Sequence, residues 1–271
     1  MMSPSTRSPA VAGMFYPASR DALGSLVDEL LARARENDAR PTAERRAPKA
    51  LIVPHAGYQY SGPIAASAFA RLVPYAATLE RIVLLGPAPR ARLTGLAGPG
   101  VTRMATPLGD VEVDTEALAR VPTVSRAPSA HAQEHSLEVE LPFLQRIAPN
   151  AKVVPLVVGD AAPEEVALVL RTLWDGSGTL IVVSSDLSHY LPYAEGRAHD
   201  QATAGRIASL DPEPLDGDDA CGCHGINGLL RVARERGLRT ELVDLRSSGD
   251  TAGSRDEVVG YGAFAFYEAL S

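Results

Sequence analysis

A chain of 271 residues, 45% hydrophobic and 22% charged, has an ordinary globular composition with enough apolar material for a core and no call for long disorder. Its net charge of -7, with arginines scattered among acids and no like-charged block, argues against a nucleic-acid surface. No apolar run reaches the roughly 18 residues of a membrane span, and Met1 to Met14 lacks the apolar centre of a signal peptide, so a cytoplasmic protein that uses no membrane is expected.

Ser19 to Asn37 reads as an amphipathic helix capped by Ser19, with Leu23, Leu26, Val27, Leu30 and Leu31 on one face. Ala50 to Pro54 reads as a buried strand and Pro63 to Leu72 as a helix of small residues. Arg81 to Leu85 gives a second strand, followed by a Gly-rich irregular stretch to Gly100. Thr106 to Asp114 alternates like an edge segment, and Leu137 to Ile147 reads as a helix interrupted early by Pro142. Lys152 to Val158 and Thr179 to Ser184 are further buried strands flanking a helix from Pro163 to Trp174. Helices around Glu195 to Leu210 and Gly225 to Glu235 precede strands around Thr240 to Leu245 and Val258 to Phe266. Strands alternating with helices imply an α/β fold: a single domain, 1–271, with a parallel or mixed central sheet and helices on both faces.

Chemistry gathers where strands end. Pro54-His55-Ala56-Gly57-Tyr58 delivers an imidazole from a strand to a turn, and in open α/β sheets ligands bind at the carboxyl ends of strands. Ser184-Ser185-Asp186-Leu187-Ser188-His189 places a carboxylate and an imidazole three apart after another strand. A helical turn would aim both into one pocket, for metal ligation or proton transfer; alternatively Asp186 caps a following helix. Cys221-Gly222-Cys223-His224-Gly225 offers thiols in a turn entering a helix, whose N-terminus would lower a thiol pKa; two inert semi-buried thiols are the plainer alternative. Cysteines this close suit a reducing compartment. His131-Ala132-Gln133-Glu134-His135 matches the H-x-x-E-H pattern of zinc peptidases, yet Pro128-Ser129 points to a loop, and a helix through His131 and His135 would be needed to sustain that reading. His199 lies in a charged helical stretch and reads as a solvated surface residue.

Taken in order, PAVAGMFYP, PHAGYQYSG, LLGP, TPLGDVEVD, EHSLEVELPFLQ, VVSSDLSHY and ACGCHGING resemble the MEMO family, including the bacterial members called AmmeMemoRadiSam system protein B, from about Arg7 to Tyr267. The resemblance implies a fold like that of the class III extradiol dioxygenases and a metal, iron or copper, held by two histidines and a cysteine. It places the first histidine at His55 and the cysteine at Cys221. The second falls in Gly86-Pro87-Ala88-Pro89-Arg90, where Pro89 supplies no donor and Arg90 adds a positive charge. His135, Glu138, Asp186 and His189 match other polar residues of the family's pocket, and His189 or Asp186 could replace the missing ligand.

Three functional readings follow. One is a metal-dependent, dioxygenase-like oxidoreductase acting on a small molecule, with His135, Asp186 and His189 as catalytic groups. Another is a non-catalytic binding or accessory protein with a degenerate metal site, holding a small molecule, a peptide or a partner; the family name implies AMMECR1-like and radical SAM proteins. A metal-dependent hydrolase on His131, Glu134 and His135 is the third reading.

Overall fold

The structure is a computed structural model and describes residues 5–38, 46–88, 93–176 and 178–269. In chain order the strands are β1 (Thr6–Arg7), β2 (Ala50–Val53), β3 (Arg81–Pro87), β4 (Leu96–Gly98), β5 (Arg103–Thr106), β6 (Gly109–Glu112), β7 (Ser125–Arg126), β8 (Lys152–Val158), β9 (Thr179–Ser184), β10 (His189–Leu191), β11 (Arg239–Ser247) and β12 (Val258–Tyr267). The helices are α1 (Arg20–Glu36), α2 (Gly62–Phe69), α3 (Thr115–Ala119), α4 (Pro128–Ala132), α5 (Leu141–Ile147), α6 (Pro163–Leu173), α7 (Tyr193–Ala208) and α8 (Cys223–Glu235).

Four strands in the order β2-β9-β3-β8 run parallel at the centre of the main sheet. Antiparallel strands flank them: β12 beside β2, with β11 and β10 on β12, and β4 beside β8. The sheet is therefore mixed. Because side chains alternate along a strand, the apolar runs fill two cores. Leu51, Val53, Ile82, Leu84, Leu180 and Val182 face one side, with α1, α2 and α5. Ile52, Val83, Leu85, Ile181 and Val183 face the other, with α6 and α8. Helices cover both faces, which makes the runs continuously hydrophobic.

Ser19 caps α1 by accepting from Ala22 N. Other sequence expectations are corrected. The edge segment Thr106–Asp114 is part of a hairpin, β5 and β6, turning at Pro107-Leu108 and forming with β1 a separate small sheet. The helix expected from Pro63 to Leu72 ends at Phe69 and tightens to a 3-10 turn around Pro74, because proline has no N–H for the helical ladder. Pro142 does not interrupt α5: it sits in its first turn, where its missing N–H costs nothing, behind a 3-10 turn at Glu138–Glu140. The irregular stretch before Gly100 contains β4. In β11 the pairing slips between Leu242 and Asp244, leaving a bulge at the outer edge.

Candidate functional site

Parallel neighbours end at the same edge of the sheet, and β2, β9 and β3 end together, Val53 pairing with Ser184. His55 follows β2 by two residues, Ser184 closes β9, and the turn before α8 brings in Cys221. Gly222 permits that approach: a Cβ there would lie 2.7 Å from Ser185 Cβ and 2.9 Å from the Ser184 carbonyl oxygen. The expected meeting is present, with His55 Nε2 3.4 Å from Cys221 Sγ.

The His55 backbone N–H donates to Asp186 Oδ1 at 2.8 Å, and the Ala56 N–H also reaches this carboxylate. Asp186 therefore organises the PHAG turn rather than capping a helix. Residues 185–188 form no regular element, correcting the expectation of a helical turn. His189 opens β10 and lies near enough to influence the charge of both His55 and Asp186. The His135 ring stands edge-on to His55, with centroids 5.5 Å apart, and is also in contact with the Phe15 ring at 4.9 Å. His55, His135, Asp186, His189 and Cys221 are thus gathered at one place.

Ser184 was not anticipated. Its Oγ is 2.8 Å from His55 Nδ1, 2.7 Å from the Ser136 carbonyl oxygen and 2.9 Å from Glu140 Oε1. Glu140, to which the sequence assigns no role, is buried with Glu134 and Glu138. A strand ending in Ser-Ser-Asp was the one signal that could have pointed to Ser184.

Burial, helped by nearby His189, lowers the His55 pKa to about 3. Burial and then the Asp186 charge push the Cys221 thiol up to about 12, correcting the expectation that the α8 N-terminus lowers it. Burial also raises Asp186 to about 6 and lifts the Tyr261 phenol, which also feels Asp186, Tyr60 and Tyr190. The pair without a cation is a neutral imidazole facing a neutral thiol.

Other expected members fall elsewhere. Glu138 is not a pocket residue: it is ion-paired with Arg7 at 2.6 Å and accepts from Ala10 N, Val11 N and Tyr16 Oη, clamping the N-terminal segment. His131 is buried with Nε2 2.9 Å from the Ala97 carbonyl oxygen, and α4 ends before His135, so no helix spans the H-x-x-E-H pattern. Cys223 packs into an apolar core. His199 is half-buried, 3.5 Å from Asp219, and not simply solvated. Pro89 and Arg90 lie outside the described residues.

Two donors of one tetrahedral metal, at roughly 2.0 Å for nitrogen and 2.3 Å for sulfur, stand about 3.5 Å apart. The observed 3.4 Å fits that spacing. Among the described residues no group of three or more His, Cys, Asp or Glu is arranged to hold a metal, so the fit extends to this pair. Nor, among them, is any helix long and apolar enough to cross a membrane.

The family described as Memo-like protein matches residues 7–265. A MEMO1 family protein of Archaeoglobus fulgidus is 37% identical, the alignment covering 96% of this chain and 99% of that one. Those of Ignicoccus hospitalis and Aquifex aeolicus are each 36% identical, over 96% and 94% of this chain and 98% and 97% of theirs. On similarity over nearly its whole length, the chain belongs to the MEMO family.

Proposed function

We propose that this protein holds a soft transition-metal ion, copper in preference to iron, between His55 Nε2 and Cys221 Sγ, and uses it on a small molecule. The observation that carries the reading is the 3.4 Å approach of those two atoms, with His55 steadied from behind by Ser184. Thiolate with imidazole suits copper. The two-histidine, one-carboxylate face typical of non-heme iron is less well served, because Asp186 is engaged with the PHAG backbone. A bound cation would favour the Cys221 thiolate and reverse the burial effect on that thiol.

The metal would supply Lewis acidity or one-electron chemistry. The chain's own contribution is positional. Asp186 holds the turn bearing His55, Ser184 holds the ring, and the Asp186 N–H, 3.3 Å from Cys221 Sγ, stabilises negative charge on sulfur. His135 and His189 are the groups placed to exchange a proton with a ligand.

Metal-free protein titrated anaerobically with Cu(I) and with Fe(II) tests the reading. His55→Ala and Cys221→Ser should each weaken copper binding by roughly tenfold or more; unchanged affinity in both would defeat it. Oxygen uptake with a panel of catechols addresses turnover. Pro89 at the family's third ligand position favours a second reading, a non-catalytic accessory protein for AMMECR1-like and radical SAM partners. Stable co-purification with such partners by a protein that binds neither ion would select it.

A further inference from the structure

The Ser184 hydroxyl owns one hydrogen and two lone pairs, yet three polar atoms surround it: His55 Nδ1 at 2.8 Å, the Ser136 carbonyl oxygen at 2.7 Å and Glu140 Oε1 at 2.9 Å. All four residues are buried, so each hydrogen bond must be accounted for inside the protein. A backbone carbonyl can only accept. The single hydroxyl hydrogen therefore goes to Ser136, and the two remaining partners must donate into the Ser184 oxygen. His55 can donate there only with its proton on Nδ1. Glu140 can do so only as a carboxylic acid.

We propose that Glu140 is a positioning residue, held as a neutral acid, which through Ser184 fixes His55 in the Nδ1–H form and leaves Nε2 bare toward Cys221. The surroundings agree. Burial raises the Glu140 pKa well above the usual carboxylate range; the Ser184 contact opposes that rise, and the neighbouring carboxylates of Asp186 and Glu134 add to it. The Arg7 guanidinium gives its hydrogen bonds to Glu138 and to the carbonyls of His131 and Glu134, and the Tyr58 hydroxyl donates to the Val139 carbonyl. An ionised Glu140 would compete with the Ser136 carbonyl for one hydrogen, leaving a buried acceptor unmet. The proton count itself stands without a metal; its functional meaning, a preformed donor face, rests on the copper reading above.

The test uses metal-free, full-length protein near neutral pH. The infrared difference between wild type and Glu140→Gln should contain the carbonyl stretch of a protonated carboxyl, moving in heavy water. With ¹⁵N-histidine labelling, the His55 ring should carry its proton on Nδ1 in wild type and in Glu140→Gln, whose amide replaces the acid as donor. Ser184→Ala should move the ring toward the Nε2–H form by tenfold or more, and cost roughly tenfold to a hundredfold in copper affinity. A difference spectrum showing only an ionised carboxylate, or a wild-type His55 protonated on Nε2, overturns the proposal, and these wild-type signals decide it even if Ser184→Ala does not fold. Spectra as expected in a protein that binds no copper would uphold the proton assignment and dispose of the metal reading alone.

Discussion

Three glutamates in Glu134 to Glu140 are buried within a few residues of one another, and each is kept there by a different device. Glu138 is paired with Arg7, whose side chain is 6% exposed. Removing one charge of a buried pair strands the other, so Glu138→Gln should cost roughly 3 to 5 kcal/mol, read from urea unfolding. Among the described residues the Glu134 carboxylate makes no ion pair, the Arg7 guanidinium reaching only its backbone carbonyl; its Oε1 accepts from the Ser136 hydroxyl and Leu137 N, and burial raises its pKa from 4.5 to about 7. A raised pKa means that the folded state holds the proton more tightly than the unfolded chain. Its contribution is present in full below pH 4.5 and is lost as pH rises through about 7. Glu134→Gln should abolish that decline, seen as the difference between the pH–stability curves of variant and wild type. Taking the difference cancels the opposite slope from His131, whose pKa burial lowers to about 4.

At the scale of elements, α6 crosses α8 so closely that a Cβ on Gly228 would lie 2.3 Å from Val166 Cγ1. In an open helix interior, replacing glycine by alanine gains about 1 kcal/mol. Here Gly228→Ala should instead lose about 1 to 3 kcal/mol through overpacking, and the sign of the shift in thermal midpoint separates the two effects. Elements were legible in the sequence where one signal dominated. The runs ALIV, RIVLL, KVVPLVV and TLIVVS are buried on both faces, and their ends located His55 and Asp186. The hairpin was missed because Thr106 to Asp114 shows one alternating pattern on both sides of a tight turn. Ser184 and Glu140 were missed because a hydroxyl and a carboxylate in isolation give no sign of burial; they acquire meaning only when β9 lies beside the 3-10 turn at Glu138–Glu140.

Across the whole molecule, stability is concentrated in the parallel centre. Amides such as Ile52, Val83, Val154 and Ile181, fully or almost fully buried there, should exchange with heavy water only through global unfolding, while those of β11 exchange sooner through local opening. Equal protection across the sheet would contradict this ordering. The site depends on that gradient: two of its three anchoring turns leave strands of the rigid centre, and the third, bearing Cys221, leads into α8, which packs over the same strands. The bulge in β11 has a different consequence. Among the described residues that strand pairs only with β12, a geometry that invites a neighbouring chain to extend the sheet. The slipped register near Asp244, with Arg246 2.5 Å from its carboxylate, skews and charges the rim, so a second copy arriving there would find no continuous ladder to zip onto.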